Sequence, residues 1–254
     1  MRVTRVLAIV AFWIAGTAAQ AQSTAVAPSY AIMPLIGDKI TVVVHQISTG
    51  SHWDKNIQHI LPMPDDSLDG TAAFASDDAV KRVQRGALTM LYTTRDAKLF
   101  ALQDKLIDSP DAVADLAQSM KAFLSASKAS HLILITKYRT DTRVRMSDGY
   151  IGSGQLSGIG FYVDPNLMIK EETGEVTQGY FTPYAYFKLS LLDAATLQVL
   201  RQATATTTQV HTAAKSQKAK VAWEALTPAE KVDALNQVIR GAIDEAMPKL
   251  LGDK

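Results

Sequence analysis

Hydrophobic and polar positions divide the chain into a short series of elements. Lys39–Ile47 (KITVVVHQI) is a β-branched run after the turn signal Gly37-Asp38. With three consecutive valines it predicts a first strand buried on both faces. Ser48–Ala75 breaks this pattern with Pro62, Pro64, Gly70 and several aspartates, and reads as a long irregular loop of the kind that often carries function. Ser76 and Asp77 then open a helix whose apolar positions Val80, Val83, Ala87, Met90 and Leu91 recur at helical spacing. A second helical pattern runs through Leu99, Leu102 and Leu106. Ser109-Pro110-Asp111 is a fresh helix start, with Val113, Leu116, Ala117, Met120, Phe123 and Leu124 as its buried stripe.

The period changes to two at His131–Tyr138 (HLILITKY), and the alternation continues through Arg143–Met146. Asp148-Gly149 predicts a tight hairpin turn into a glycine-rich strand, Tyr150–Val163, closed by Asp164-Pro165-Asn166. A polar excursion with a turn at Glu172-Thr173-Gly174 leads to a second hairpin, Tyr180–Leu192 and Gln198–Val210, joined by Asp193–Thr196. Thr227, Pro228 and Glu230 spell a capping box for a last helix with Val232, Leu235, Val238, Ile239, Ala242, Ile243 and Ala246 on its core face. The expected fold class is therefore α+β, a mixed α/β layer in which a mostly antiparallel sheet packs against about three helices.

The beginning of the chain changes the picture of where this domain works. Arg2 and Arg5 precede the apolar run Val6–Ala15, and Ala19-Gln20-Ala21 is an A-x-A cleavage pattern. Residues 1–21 thus read as a signal peptide, 22–37 as an extended segment leading into the domain, and 38–254 as a single α/β domain. The apolar run is too short to span a bilayer. Cleavage near Ala21 implies a periplasmic or secreted protein. The formal charge is +1, and because Arg2 and Arg5 lie in the leader the remainder carries −1. Such balance offers no footprint for nucleic acid. With no cysteine in the chain, neither a disulfide nor a lipid-attached cysteine is available.

The strand–helix–strand opening, the long paired strands and the segment Phe187–Leu200 (FKLSLLDAATLQVL) before a last helix resemble a family of bacterial envelope domains. These are the curli-secretion-lipoprotein, penicillin-binding-protein-activator and TolB-amino-terminal-like domains. The resemblance implies partner binding or assembly rather than catalysis, and it carries no site residue across.

Few residues point to chemistry by themselves. His45, His52 and His59 recur at intervals of seven, but no carboxylate or thiol completes a ligand set, and a structural or surface role outweighs a metal site. The glycines from Gly149 to Gly160 lack the following helix that phosphate-binding loops need, and instead signal bulges or close backbone approach. No G-x-S-x-G elbow is present. Tyr180, Tyr184 and Tyr186 share one strand face opposite Phe181 and Phe187; core packing outweighs an exposed contact platform, yet this face is the first candidate for a binding surface. Arg139, Arg143 and Arg145 alternate nearby as either a solvated face or an anionic-partner patch. The sequence thus supports a periplasmic accessory protein that binds an envelope protein or a ligand and needs no cofactor. A secreted hydrolase with a dispersed site is the alternative, and a small-ligand carrier walled by the glycine strand is a third.

Overall fold

A computed structural model describes residues 27–46, 56–109, 112–146, 149–169, 176–212 and 222–252. The leader, His52, Pro110-Asp111, Asp148 and the Glu172–Gly174 turn lie outside the described residues. The strands are β1 (Ser29–Leu35), β2 (Lys39–Val44), β3 (Ile57–Pro62), β4 (Leu88–Leu91), β5 (His131–Lys137), β6 (Arg139–Asp141), β7 (Val144–Met146), β8 (Gly149–Ile151), β9 (Gln155–Ile169), β10 (Val176–Asp193), β11 (Val199–Thr208) and β12 (His211–Thr212). The helices are α1 (Ser67–Val83), α2 (Ala97–Leu106), α3 (Val113–Ser119), α4 (Lys121–Ser127) and α5 (Pro228–Leu251). Among the described residues, no helix is long and apolar enough to cross a membrane.

The sheet is mixed and mostly antiparallel, with the order β3-β2-β9-β10-β5-β1-β4, and it is richer in strands than the sequence pattern suggests. The long strand β10 organises it. One edge of β10 pairs first with β9, from Val176 to Tyr186, and then with β5, from Phe187 to Asp193. Its other edge carries β12 and β11. Three pairings are parallel: β1 with β4, β1 with β5, and β2 with β9. Two helical layers cover opposite faces. Tyr30, Ile32, Phe181, Ala185, Phe187 and Leu189 meet α1 and α5 on one face, and Ala31, Met33, Leu35, Leu132 and Leu134 meet α2–α4 on the other.

The segment expected to lead into the domain is in fact a strand as fully buried as β5. In β1 every residue after Ser29 is buried, and both faces are covered. Pro34 disguises it. The Ile32 carbonyl accepts from Tyr92 N at the end of β4, so Pro34, two residues on, turns its missing N–H toward the edge that β4 no longer reaches. Proline costs no ladder bond there. Conversely β2, expected to be well buried, buries fully only Val43 and leaves its other residues half-buried, because it lies one strand from the edge of the sheet beside the wholly exposed β3.

The long loop also resolves into regular structure. Ile57–Pro62 pairs antiparallel with β2, and α1 begins at Ser67, nine residues before the expected start at Ser76. Its inward stripe is mostly alanine (Ala72, Ala73, Ala75, Ala79), which gives little hydrophobic contrast to read. Ser76 sits inside this helix and donates to the Ala72 carbonyl at 2.7 Å. Gly86, at φ +87°, turns the chain out of α1, so Met90 and Leu91 belong to β4 rather than to a helix. Strand β9 likewise runs on past Asp164-Pro165-Asn166, because Pro165 and Asn166 form a bulge in β9 opposite the single β10 residue Gly179 (φ +73°). The last helix has the expected capping box, with Thr227 Oγ1 accepting from Glu230 N. Of its expected core face only Val232 is exposed, at 49%, because the first turn stands clear of the sheet.

Two glycines with opposite surroundings test this packing. A Cβ at Gly160 would lie 1.8 Å from the Thr41 carbonyl oxygen across the β2·β9 pairing, whereas one at Gly70 on α1 would meet nothing within 4 Å. Gly160→Ala should therefore cost about 3 kcal/mol in urea denaturation, at the upper end of ordinary overpacking. Gly70→Ala should stabilise by about 0.5–1 kcal/mol through helix propensity alone.

Candidate functional site

Parallel strands β4, β1 and β5 direct their carboxyl ends toward the same side of the sheet, and the connections around them pass over opposite helical layers. α1 connects back to β4 on one face, and α2–α4 lead from β4 to β5 on the other. In such sheets the crevice outside the carboxyl ends of the strands is the usual place for a ligand. A cleft of about 290 Å³ lies there, lined by Gly37 and Asp38 after β1, Thr94 and Arg95 after β4, Asp65 and Asp69 at the start of α1, and Phe100 and Asp104 on α2.

Its floor is a network of charges. Lys137, the last residue of β5, has a side chain only 4% exposed, and its Nζ lies 2.5 Å from Asp38 Oδ1 and 3.0 Å from Asp104 Oδ1. Lys39 Nζ reaches Asp104 Oδ2 at 2.5 Å and Asp38 Oδ2 at 3.8 Å. Two ammonium groups thus satisfy two carboxylates. Burial alone would raise the Asp104 carboxyl, but the bond from Lys39 and the charge of Lys137 outweigh it and hold Asp104 below the usual carboxylate range.

Asp69 is the exception within this site. It is 1% exposed, and its Oδ1 accepts from the backbone N–H of Ile36 at 2.9 Å and of Gly37 at 3.0 Å. These bonds tie the first turn of α1 to the exit of β1. Its Oδ2 has no hydrogen-bond partner among the described residues. Burial pushes the carboxyl up to about 7; the two backbone bonds and Lys137 oppose that shift without overcoming it. A carboxylate poised at neutral pH in a cleft is a common mark of a functional site.

None of these residues stood out in the sequence as a site. Asp69 occupies an inward position of a helix whose start was hidden, and Lys137 ends an otherwise apolar strand. A charge in an inward phase is the signal that could have found them.

The sequence candidates lie elsewhere. Tyr180, Tyr184 and Tyr186 share a face as expected, but they are buried with Val43, Val144, Leu156 and Tyr162. The physical reason is a cover that the sequence did not foretell, formed by the β7–β8 hairpin and the β6 excursion. Tyr186 Oη accepts from Arg143 N at 2.9 Å, and Tyr184 Oη donates to the Thr41 carbonyl at 3.4 Å. The tyrosine face is core, not an open platform. Arg139, Arg143 and Arg145 are exposed on the outer side of this cover, and Arg139 pairs with Asp108 at 2.8 Å. Among the glycines, Gly160 allows close backbone approach and Gly158 (φ +67°) makes room for the Lys137 stem. His59 is exposed on β3, His45 contacts Ser153 Oγ at 2.8 Å through Nδ1, and His52 lies outside the described residues.

Comparison with known proteins adds little. No family model and no curated protein matches the chain. Among solved structures, the PelC dodecamer from Paraburkholderia phytofirmans aligns at 10% identity over 89% of this chain and 90% of that chain, with a TM-score of 0.35. A neuraminyllactose-binding hemagglutinin homolog from Helicobacter pylori aligns at 6% identity over 86% and 83%, with a TM-score of 0.36. Likenesses this distant carry no argument about fold or function.

Two substitutions probe the site. Lys137→Met leaves Asp38 and Asp104 facing each other without the central cation, and should cost about 2–4 kcal/mol in urea denaturation; the partial exposure of the carboxylates keeps the loss below that of a fully buried pair. For Asp69, a folded pKa of about 7 against 3.8 for the free side chain means that the native state holds the extra proton between those values. Its contribution is fully present below the lower value and is lost as pH rises through the upper one. Asp69→Asn keeps an oxygen for both backbone donors and does not titrate. The stability of the native protein relative to this variant should therefore fall by up to ~1.4 kcal/mol per pH unit across that window, and a flat difference would count against the burial argument.

Proposed function

We propose that this is a periplasmic accessory protein that acts by binding rather than by catalysis, and that the cleft at the carboxyl ends of β4, β1 and β5 is its ligand site. The observation that carries this reading is the charge-paired floor. Lys137, Asp38, Asp104 and Lys39 neutralise one another and hold the cleft walls in fixed positions, which favours recognition by preorganisation. The signal-peptide pattern of residues 1–21 supports the compartment, and the resemblance to envelope domains supports binding over turnover.

One observation favours the hydrolase alternative. Ser153 and His45, 108 residues apart in sequence, meet at 2.8 Å. The pair is incomplete as a catalytic unit, because Asn56 Oδ1 approaches the same ring nitrogen, Nδ1, at 3.3 Å. In a triad the orienting group holds the nitrogen opposite the nucleophile.

The two readings separate experimentally. Isotope-labelled protein, purified from the periplasm after expression of the full chain, is titrated with small-molecule mixtures while the amides of Gly37, Thr94 and Arg95 are followed by NMR. Saturable shifts at these three positions are expected. Shifts only elsewhere, or ester or amide turnover abolished by Ser153→Ala, would overturn the binding reading.

A further inference from the structure

Resting on the reading of this cleft as the ligand site, we infer that it takes a small organic ammonium ion with a short apolar tail, held by the free Oδ2 of Asp69. Three features of the cleft select that chemistry. Asp69 as a residue is 1% exposed and lines the cleft, and its Oδ2, which is not among the fully enclosed polar atoms, has no donor among the described residues, so it is the atom of this side chain left to meet a ligand. Beside it Gly37 has no side chain; a Cβ there would sit 3.0 Å from Oδ2 and 3.1 Å from Cγ, so the absent methyl keeps the approach to this oxygen clear. Part of the lining is apolar, formed by Met63, Ala97, Phe100 and Ala101, and suits a short carbon chain.

The neighbouring charges decide between kinds of cation. Asp38 and Asp104 are already paired with Lys137 and Lys39, and among the described residues no three acidic or histidine side chains gather as a metal site. A divalent metal ion needs several oxygens converging on it. An ammonium group needs one strong acceptor, and Lys137 shows that this floor accommodates such a group between carboxylates. At the rim Asp65 and Arg95 oppose each other in sign and leave the approach close to neutral.

Binding is coupled to a proton. The groups that face Asp69 are Asp38 and Lys39 after β1, Asp65 before α1, Arg95 after β4, Asp104 on α2 and Lys137 on β5. Among them Asp38 favours the protonated carboxyl and Lys137 the ionised one, with burial dominant over both. An ammonium ligand binds the ionised form and expels the proton. Because the ionised fraction rises through neutrality, the apparent Kd should fall about tenfold between roughly pH 6 and pH 8, a window in which an alkylammonium stays charged.

The test uses three probes of equal length, n-butylammonium, n-butanol and butyrate, titrated at both ends of that window with the Gly37 and Thr94 amides and the Asp69 carboxyl carbon as NMR reporters. The expected result is saturable binding of the ammonium alone, about tenfold tighter at the higher pH, with both the binding and its pH dependence lost in Asp69→Asn. Should that variant fail to fold, Gly37→Ala, which fills the space beside Oδ2 and leaves every charge in place, must weaken ammonium binding at least about fivefold. Butanol or butyrate saturating the cleft while the ammonium does not would overturn this inference and leave the cleft standing as a ligand site. Ammonium binding that persists unchanged in Asp69→Asn would also overturn it. If no probe moves Gly37 or Thr94, the inference and the cleft reading fall together.

Discussion

The buried ammonium of Lys137 sits where the two halves of the sheet meet. Strand β10 pairs with β9 as far as Tyr186 and with β5 from Phe187 onward, and Lys137 is the β5 residue opposite Phe187. Its stem passes Gly158, the β9 residue opposite Tyr186, where a Cβ would lie 3.0 Å from the Lys137 methylenes. Its charge then binds Asp38 at the exit of β1 and Asp104 on α2. One side chain therefore ties the strand exchange, the central parallel strand and the second helical layer together. An unpaired ammonium at that depth would be far too costly, so Asp38 and Asp104 are held to their places by the same constraint.

From that junction the arrangement of the cleft follows. The connections on either side of β1 leave toward opposite faces, and the opening between them is the one place where side chains from both layers reach the strand ends. Asp69 closes the remaining gap by accepting from two backbone groups at the turn after β1. At position 37 a Cβ would lie 3.0 Å from the Asp69 backbone N and Oδ2, a tight fit that favours glycine there. Structural and chemical roles coincide in Asp69, since the oxygen that is not needed for the turn faces the cleft.

Much of the fold was legible because its elements carry strong local signals. The capping box of Thr227 and Glu230, the alternation of His131–Lys137 and the hairpin joined at Asp193–Thr196 all appear where the pattern places them. The failures share a physical cause. β1 hides behind Pro34, which costs no ladder bond because β4 does not reach its edge, and α1 hides because alanine gives a helix no contrast between its faces. The tyrosines were read on the correct face, but whether that face met water depended on the β7–β8 hairpin folding over it.

By itself the sequence determined the mixed α/β class with mostly antiparallel pairing, the assignment of tyrosine and phenylalanine to opposite faces of β10, and the glycines that bulges and close approach require. These are local properties, set by period, turn chemistry and capping within a few residues. The tertiary structure alone decided which charges are buried together. Asp38, Asp69, Asp104 and Lys137 are ordinary residues along the chain, spread over about a hundred positions, and no short-range rule links them. Three of them acquire paired charges, Asp69 holds a proton near neutrality, and they gather around one cleft only when three parallel strands bring their carboxyl ends to the same side, because desolvation and charge pairing depend on distance in space and not on separation in sequence.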